Sequence, residues 1–196
     1  MRILLIAGFL GTGKTTLLLH IARHLASLSR NVAVIENEIG DIGIDGLLLQ
    51  KKGLEVRELY GGCVCCTMRT DLRTTLLKVK EVVNPDYVLI EPTGAAYPGD
   101  VIRNILADVP FVTGYSVAIL VDPVRYDMLK AMMTPMLDAQ LRSASVVAVN
   151  RIDEVDGDTV ERIRADVLSR MEEQKPVIPV SAQEEINLDT LIAELL

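Results

Sequence analysis

The sequence predicts an α/β fold with a mostly parallel central sheet of about seven strands and helices on both faces. Short β-branched apolar runs alternate with longer helical patterns from end to end. Several runs are apolar at consecutive positions, as in Tyr87-Val88-Leu89-Ile90, Val117 to Val121 and Val146 to Val149, which is how strands covered on both sides read. The 196 residues are 49% hydrophobic yet hold only five Tyr, two Phe and no Trp, so the core has to come from Leu, Ile and Val on regular elements.

In chain order, strands are expected at 2–7, 32–36, 54–59, 87–91, 116–121, 145–150 and 177–181, with helices at 14–29, 68–83, 99–107, 124–141, 157–173 and 187–196. No repeat or linker-like segment divides them, so one domain over 1–196 is expected. Twenty Lys+Arg against 27 Asp+Glu give a net charge of −7 with no basic tract, which disfavours nucleic acid as partner. The apolar run at Arg2 to Ala7 is too short for an export signal, and no segment approaches the roughly 20 apolar residues of a membrane span. All three cysteines, Cys63, Cys65 and Cys66, lie within four positions. That is no disulfide framework, so reduced thiols in the cytoplasm are expected.

Gly8-Phe9-Leu10-Gly11-Thr12-Gly13-Lys14-Thr15 fits G-x-x-x-x-G-K-[ST] between the first strand and the first helix, the setting of a P-loop NTPase. Gly11, Thr12 and Gly13 turn backbone N–H groups toward a phosphate at a helix N-terminus, where the unpaired donors favour an anion. Lys14 is expected on the β- and γ-phosphates, Thr15 on Mg²⁺, and Thr16 beside them. Glu91 ends a buried strand and is the second expected magnesium group, and Gly94 after it is expected to offer an N–H to the γ-phosphate as a switch hinge.

Asn150-Arg151-Ile152-Asp153 follows another buried strand and looks like the guanine-reading N-K-x-D element of GTPases, with Ser181-Ala182 as its companion loop. Asp153 can accept from the N1 and N2 groups of guanine, whereas adenine offers it no such donors. Arg151 stands where that element has lysine, and its aliphatic stem can lie over the base. Asp122, before Pro123, is expected in the base-side wall or as a helix cap.

Gly61-Gly62-Cys63-Val64-Cys65-Cys66 can bring three thiolates to three corners of a tetrahedral metal site, with a fourth ligand from the acidic segment Glu36-Asn37-Glu38-Ile39-Gly40-Asp41. Thiolates suit Zn²⁺ or Cu(I), and mixed ligands Co²⁺ or Ni²⁺. His20 and His24 share a helix face more readily than a metal, and Met128, Met132, Met133 and Met136 suit a helix packed on a mobile partner.

Together these motifs resemble the CobW-like GTPases, metallochaperones related to the nickel-insertion GTPases of hydrogenase and urease maturation. The resemblance rests on Gly8 to Thr16, on Glu36-Asn37-Glu38-Ile39-Gly40 with Gly43-Ile44-Asp45 as a first switch, on Gly62 to Cys66 and on Glu91 to Gly94. It implies a slow Mg²⁺-dependent GTPase in which metal at Cys63, Cys65 and Cys66, helped by Glu36 or Asp41, is coupled to GTP or GDP. Glu38, Asp41 and Asp45 are the candidates for switch residues and for orienting the attacking water. Ile39, Tyr97 and Arg151 depart from the family's residues, and no counterpart of its C-terminal domain is recognised before Leu196. The implied partners are a client metalloenzyme or metal-cofactor protein and a second copy of the chain. Two other readings stay open: a nucleotide-dependent chaperone of a cobalamin-dependent or other metalloenzyme, with structural zinc and little turnover, and an ATP-using accessory protein.

Overall fold

The computed structural model describes residues 1–36 and 68–196. Among them, six strands, β1 (Arg2–Gly8), β2 (Val32–Glu36), β3 (Tyr87–Glu91), β4 (Gly114–Val121), β5 (Val146–Val149) and β6 (Val177–Pro179), form one sheet. Its order is β2-β3-β1-β4-β5-β6, and every pairing is parallel. The helices are α1 (Lys14–Ser27), α2 (Met68–Val82), α3 (Pro98–Asp108), α4 (Tyr126–Ser143), α5 (Gly157–Arg170) and α6 (Leu188–Leu195). The strand expected at 54–59 lies outside the described residues, so the observed sheet has six strands where seven were expected. No described helix is long and apolar enough to cross a membrane.

Alternating residues of each strand serve opposite faces, which explains the unbroken apolar runs. Ile3, Leu5, Val88, Ile90, Val117, Ile119, Val147 and Val149 pack with α2, α3, α4 and α5 on one side. Leu4, Ile6, Leu89, Ala118, Leu120, Val146 and Ala148 pack with α1 and α6 on the other. The central strand β1 lies between β3 and β4, and the chain order reverses there. A crevice beyond the carboxyl ends of the strands at such a reversal is where parallel sheets bind ligands. Here that crevice holds the loop after Gly8, flanked by Glu91 and Asp122.

Helix α4 is kinked. Met133 leaves helical geometry (φ −134°, ψ 29°) just before Pro135, which lacks an N–H and crowds the preceding turn. The Thr134 hydroxyl donates to the Lys130 carbonyl at this bend. Met133 and Met136 pack on the core while Met128 and Met132 are exposed.

A polar cluster ties α4 to α5. Asp166 accepts from Tyr126 Oη (2.6 Å), Lys130 Nζ (2.8 Å) and Arg170 Nε (2.9 Å), while Arg170 Nη1 reaches Asp138 (2.8 Å). Burial pushes the Asp166 carboxyl up, but the three donors outweigh it and hold the group well below the usual carboxylate range. Burial and the bond to Asp166 together push the Tyr126 phenol up. Asp166→Asn is expected to cost about 1–3 kcal/mol, and the melting temperature of a chain this size falls roughly 2–4 °C per kcal/mol. Because the folded pKa is depressed, this stabilisation is complete above the unfolded value of about 3.9 and is lost as pH falls through the folded one. The gap in melting temperature between variant and wild type should therefore narrow in acid, which thermal scans across pH check.

Candidate functional site

The loop from Gly8 to Thr15 is built by close approach. A Cβ on Gly8 would meet the Leu120 carbonyl at 2.5 Å, and one on Gly13 would meet Asn150 Nδ2 at 2.4 Å. Gly13 also has φ +87° as the residue before α1, a conformation costly for any other residue. Thr12 is buried, its hydroxyl donating to the Phe9 carbonyl at 2.9 Å, so its side chain closes the loop from within.

Lys14 opens α1 and is only 5% exposed. Its ammonium donates to the Phe9 carbonyl (3.2 Å) and lies 3.7 Å from Glu91 Oε1. Burial pushes its pKa down, Glu91 opposes that, and Arg125 adds to the lowering. The Thr15 hydroxyl donates to Glu91 Oε2 at 2.9 Å. Lys14 and Thr15 therefore converge on one point with Glu91, which lies 76 positions beyond Thr15 in sequence, and Thr16 follows on the same helix, half-buried. Glu36 ends β2 opposite Glu91 in register, so the chain entering the 37–67 segment starts beside this point. Gly94 lies against the loop as well, since a Cβ there would meet Leu10 N at 2.7 Å. Buried Gln140 on α4 donates its Nε2 to the carbonyls of Gly94 and Ala96, both at 3.3 Å.

On the other flank, Asn150 joins three segments. Its Nδ2 donates to the Thr12 carbonyl (2.8 Å), and its Oδ1 accepts from Ala182 N (2.8 Å). Ser181 is fully buried and its hydroxyl accepts from Glu184 N at 3.0 Å, which shapes the loop carrying Ala182. Asp153 is exposed on a 3₁₀ turn, Ile152–Glu154, next to this junction.

Asp122 does not cap α4. Its Oδ1 accepts from Val124 N (3.0 Å), while Oδ2 accepts from both Arg125 Nε and Arg151 Nη1 at 2.8 Å. Arg151, at φ +67°, is further held by Glu154 (2.8 and 2.7 Å), so its guanidinium is committed to these two carboxylates. Arg125 and Gln140 escaped the sequence reading. For Arg125 the available signal was an Asp-to-Arg spacing of three directly after a buried strand end.

Glu38, Asp41, Asp45, Cys63, Cys65 and Cys66 lie outside the described residues. Among the described residues, no group of three or more His, Cys, Asp or Glu is placed to hold a metal ion. His20 Nδ1 lies 3.7 Å from Glu185 Oε1.

Comparisons with known proteins bear on this arrangement. The family model described as CobW/HypB/UreG, nucleotide-binding domain, matches residues 2–179. The zinc chaperone YeiR of Escherichia coli (strain K12) is 34% identical over 151 residues, which cover 76% of this chain but 46% of that protein. The chain thus spans less than half the length of that curated relative. The crystal structure of Zn(II)-bound YjiA GTPase from E. coli matches 90% of this chain and 56% of its own at 27% identity, with a TM-score of 0.61. The hydrogenase maturation factor HypB of Archaeoglobus fulgidus shares the fold over 98% of this chain and 87% of its own, with a TM-score of 0.67 at 17% identity.

Proposed function

Because the chain belongs to the family of CobW/HypB/UreG nucleotide-binding domains, we propose that it is a Mg²⁺-dependent switch that binds and slowly hydrolyses GTP, with its nucleotide state governing a zinc site at Cys63, Cys65 and Cys66. The observation that carries this reading is the convergence of Lys14, Thr15 and Glu91 on the phosphate loop. The relatives named zinc chaperone and Zn(II)-bound GTPase support the metal side of it.

The donor set fits magnesium. A hydroxyl and a carboxylate, both hard oxygen donors, already lie 2.9 Å apart at Thr15 and Glu91. When bound there, the ion supplies positive charge to the β- and γ-phosphate oxygens. The loop's backbone N–H groups hold the phosphates, Asn150 keeps that loop in register with the base-side loops, and Asp153 accepts from guanine. Lys14, already desolvated and steered by Glu91, offers its ammonium to the developing charge without first being stripped of water. The nucleotide binds the charged lysine, so affinity should fall as pH rises through a pKa below the ordinary lysine range.

The thiolates of Cys63, Cys65 and Cys66, with Glu36 or Asp41, form a donor set suited to zinc. Its coupling to nucleotide is supported by the register of Glu36 with Glu91, which starts the cysteine-bearing segment next to the phosphate site. The proposed client is a metalloenzyme or a protein that handles a metal cofactor, reached directly or through a second copy of the chain.

Metal analysis of the purified chain is expected to find zinc that Cys65→Ser loses. Zinc affinity should differ roughly 5–150-fold between the GDP form and the form with a non-hydrolysable GTP analogue. Equal affinity in both forms would assign the zinc a structural role and leave the protein a nucleotide-dependent chaperone.

A further inference from the structure

Arg125 belongs to none of the motifs above, yet it lies across the phosphate loop. Its Nη2 donates to the Leu10 carbonyl at 2.8 Å, 115 positions away in sequence, and its Nε donates to Asp122 at 2.8 Å. A Cβ on Gly11 would sit 2.9 Å from Nη2 and 3.4 Å from Nη1, so the flat guanidinium covers the middle of the loop. Gly11, at φ +75°, is the residue that admits it. Asp122 is fully buried and cannot swing out, and it is held in turn by Val124 N and Arg151. The guanidinium is therefore pinned on two edges, while Nη1 has no hydrogen-bond partner among the described residues. The side chain is 35% exposed, open to a ligand in the loop. Its charge reaches the Lys14 ammonium and helps depress it, so its field enters the site.

We propose that Arg125 is a further catalytic residue, a guanidinium supplied by the same chain that donates through Nη1 to the nucleotide's phosphates and shares with Lys14 the charge released on hydrolysis. In that step the water oxygen bonds to the γ-phosphorus as the bond to the β–γ bridging oxygen breaks. The electron pair stays on the GDP leaving group, and the water's proton passes to phosphate or solvent. Charge grows on the bridging and γ oxygens, and a planar cation fixed before the reaction stabilises it without reorganising. Asp122 does two things here: it aims the guanidinium, and it offsets part of its charge. The effect should therefore fall short of the roughly 10³–10⁵-fold ascribed to arginine fingers.

The proposal rests on the phosphate loop binding a nucleoside triphosphate, and the test separates it from the guanine and zinc readings. In the full chain, Arg125→Ala is expected to slow single-turnover GTP hydrolysis about 10²-fold and to weaken binding of GDP with aluminium fluoride by a similar factor. Affinity for GDP alone should change less than about threefold. Arg125→Lys should recover part of the rate, and guanidinium chloride at low concentration should restore part of it to the alanine variant. Thermal melting compares the variants' folding, and the lysine variant provides the reading if the alanine variant melts early. Unchanged hydrolysis, or equal weakening of GDP, GTP and the transition-state mimic, overturns the proposal and leaves Arg125 as a prop for the loop. Failure of the guanine reading shows instead in the wild type, as equal affinity for ATP and GTP, with the Arg125 effect then present for both. A wild type that binds neither nucleotide overturns both.

Discussion

Lys14→Ala is expected to lower GTP turnover about 10²–10³-fold, the range for removing one preorganised charge-stabilising donor. The loss has two parts. The ammonium that meets the developing negative charge is gone, and Glu91, which lies 3.7 Å from it, is left facing an anionic ligand without its cation. Affinity for GDP should fall as well, because the ground state already presents phosphates to this lysine. Lys14→Arg is no conservative rescue, since a guanidinium cannot fit a group that is 5% exposed and bonded at 3.2 Å to the Phe9 carbonyl. Single-turnover hydrolysis and titration with a fluorescent GDP analogue check both parts. Turnover within a few-fold of wild type would remove Lys14 from the mechanism.

Asp153→Asn is expected to cut the preference for GTP over ATP by about 10²-fold, the worth of two charge-assisted hydrogen bonds to one base. In the proposed site the carboxylate would accept from both N1–H and the N2 amine of guanine, whereas the amide would present a donor to one of those donors. By the same chemistry, xanthosine triphosphate, which has an acceptor in place of the N2 amine, should become the better ligand of the variant. Asp153 is exposed on its turn, so the substitution should leave the melting temperature nearly unchanged. Competition of GTP, ATP and XTP for the labelled nucleotide gives the answer, and an unaltered preference would move base recognition elsewhere.

Much of this was readable from residues alone. The runs at 87–91, 117–121 and 146–149 read as strands covered on both sides, and they are the parallel strands β3, β4 and β5. The phosphate loop was readable because its chemistry is local: glycines for the turn, a lysine and a threonine at fixed offsets. Glu91 was readable because a carboxylate closing a buried apolar run has few structural reasons to be there. The bend in α4 had its cause in plain view at Pro135, although the sequence pattern suggested one continuous helix.

Asp122 marks where that legibility stops. An acid before a proline suggests a cap or a piece of the base-side wall, and nothing local shows that this one is buried with two arginines on a single carboxylate oxygen. The stem of Arg151 was readable as a base-side surface, but the binding of its guanidinium by Asp122 and Glu154 was not. Gln140 fastens the backbone after Glu91 to a helix more than forty positions away, and nothing in its neighbourhood on α4 announces that.

By itself, then, the sequence determined the parallel α/β architecture, the phosphate loop and the family, because period, turn chemistry and motif spacing act between neighbours along the chain. Only the tertiary structure decided which cation crosses the loop, where Asn150 fastens it and what Asp122 holds. The bonds of Arg125 to Leu10, Asn150 to Thr12 and Arg151 to Asp122 join residues 29 to 138 positions apart. Their partners are chosen by the strand order of the sheet, which no local pattern encodes.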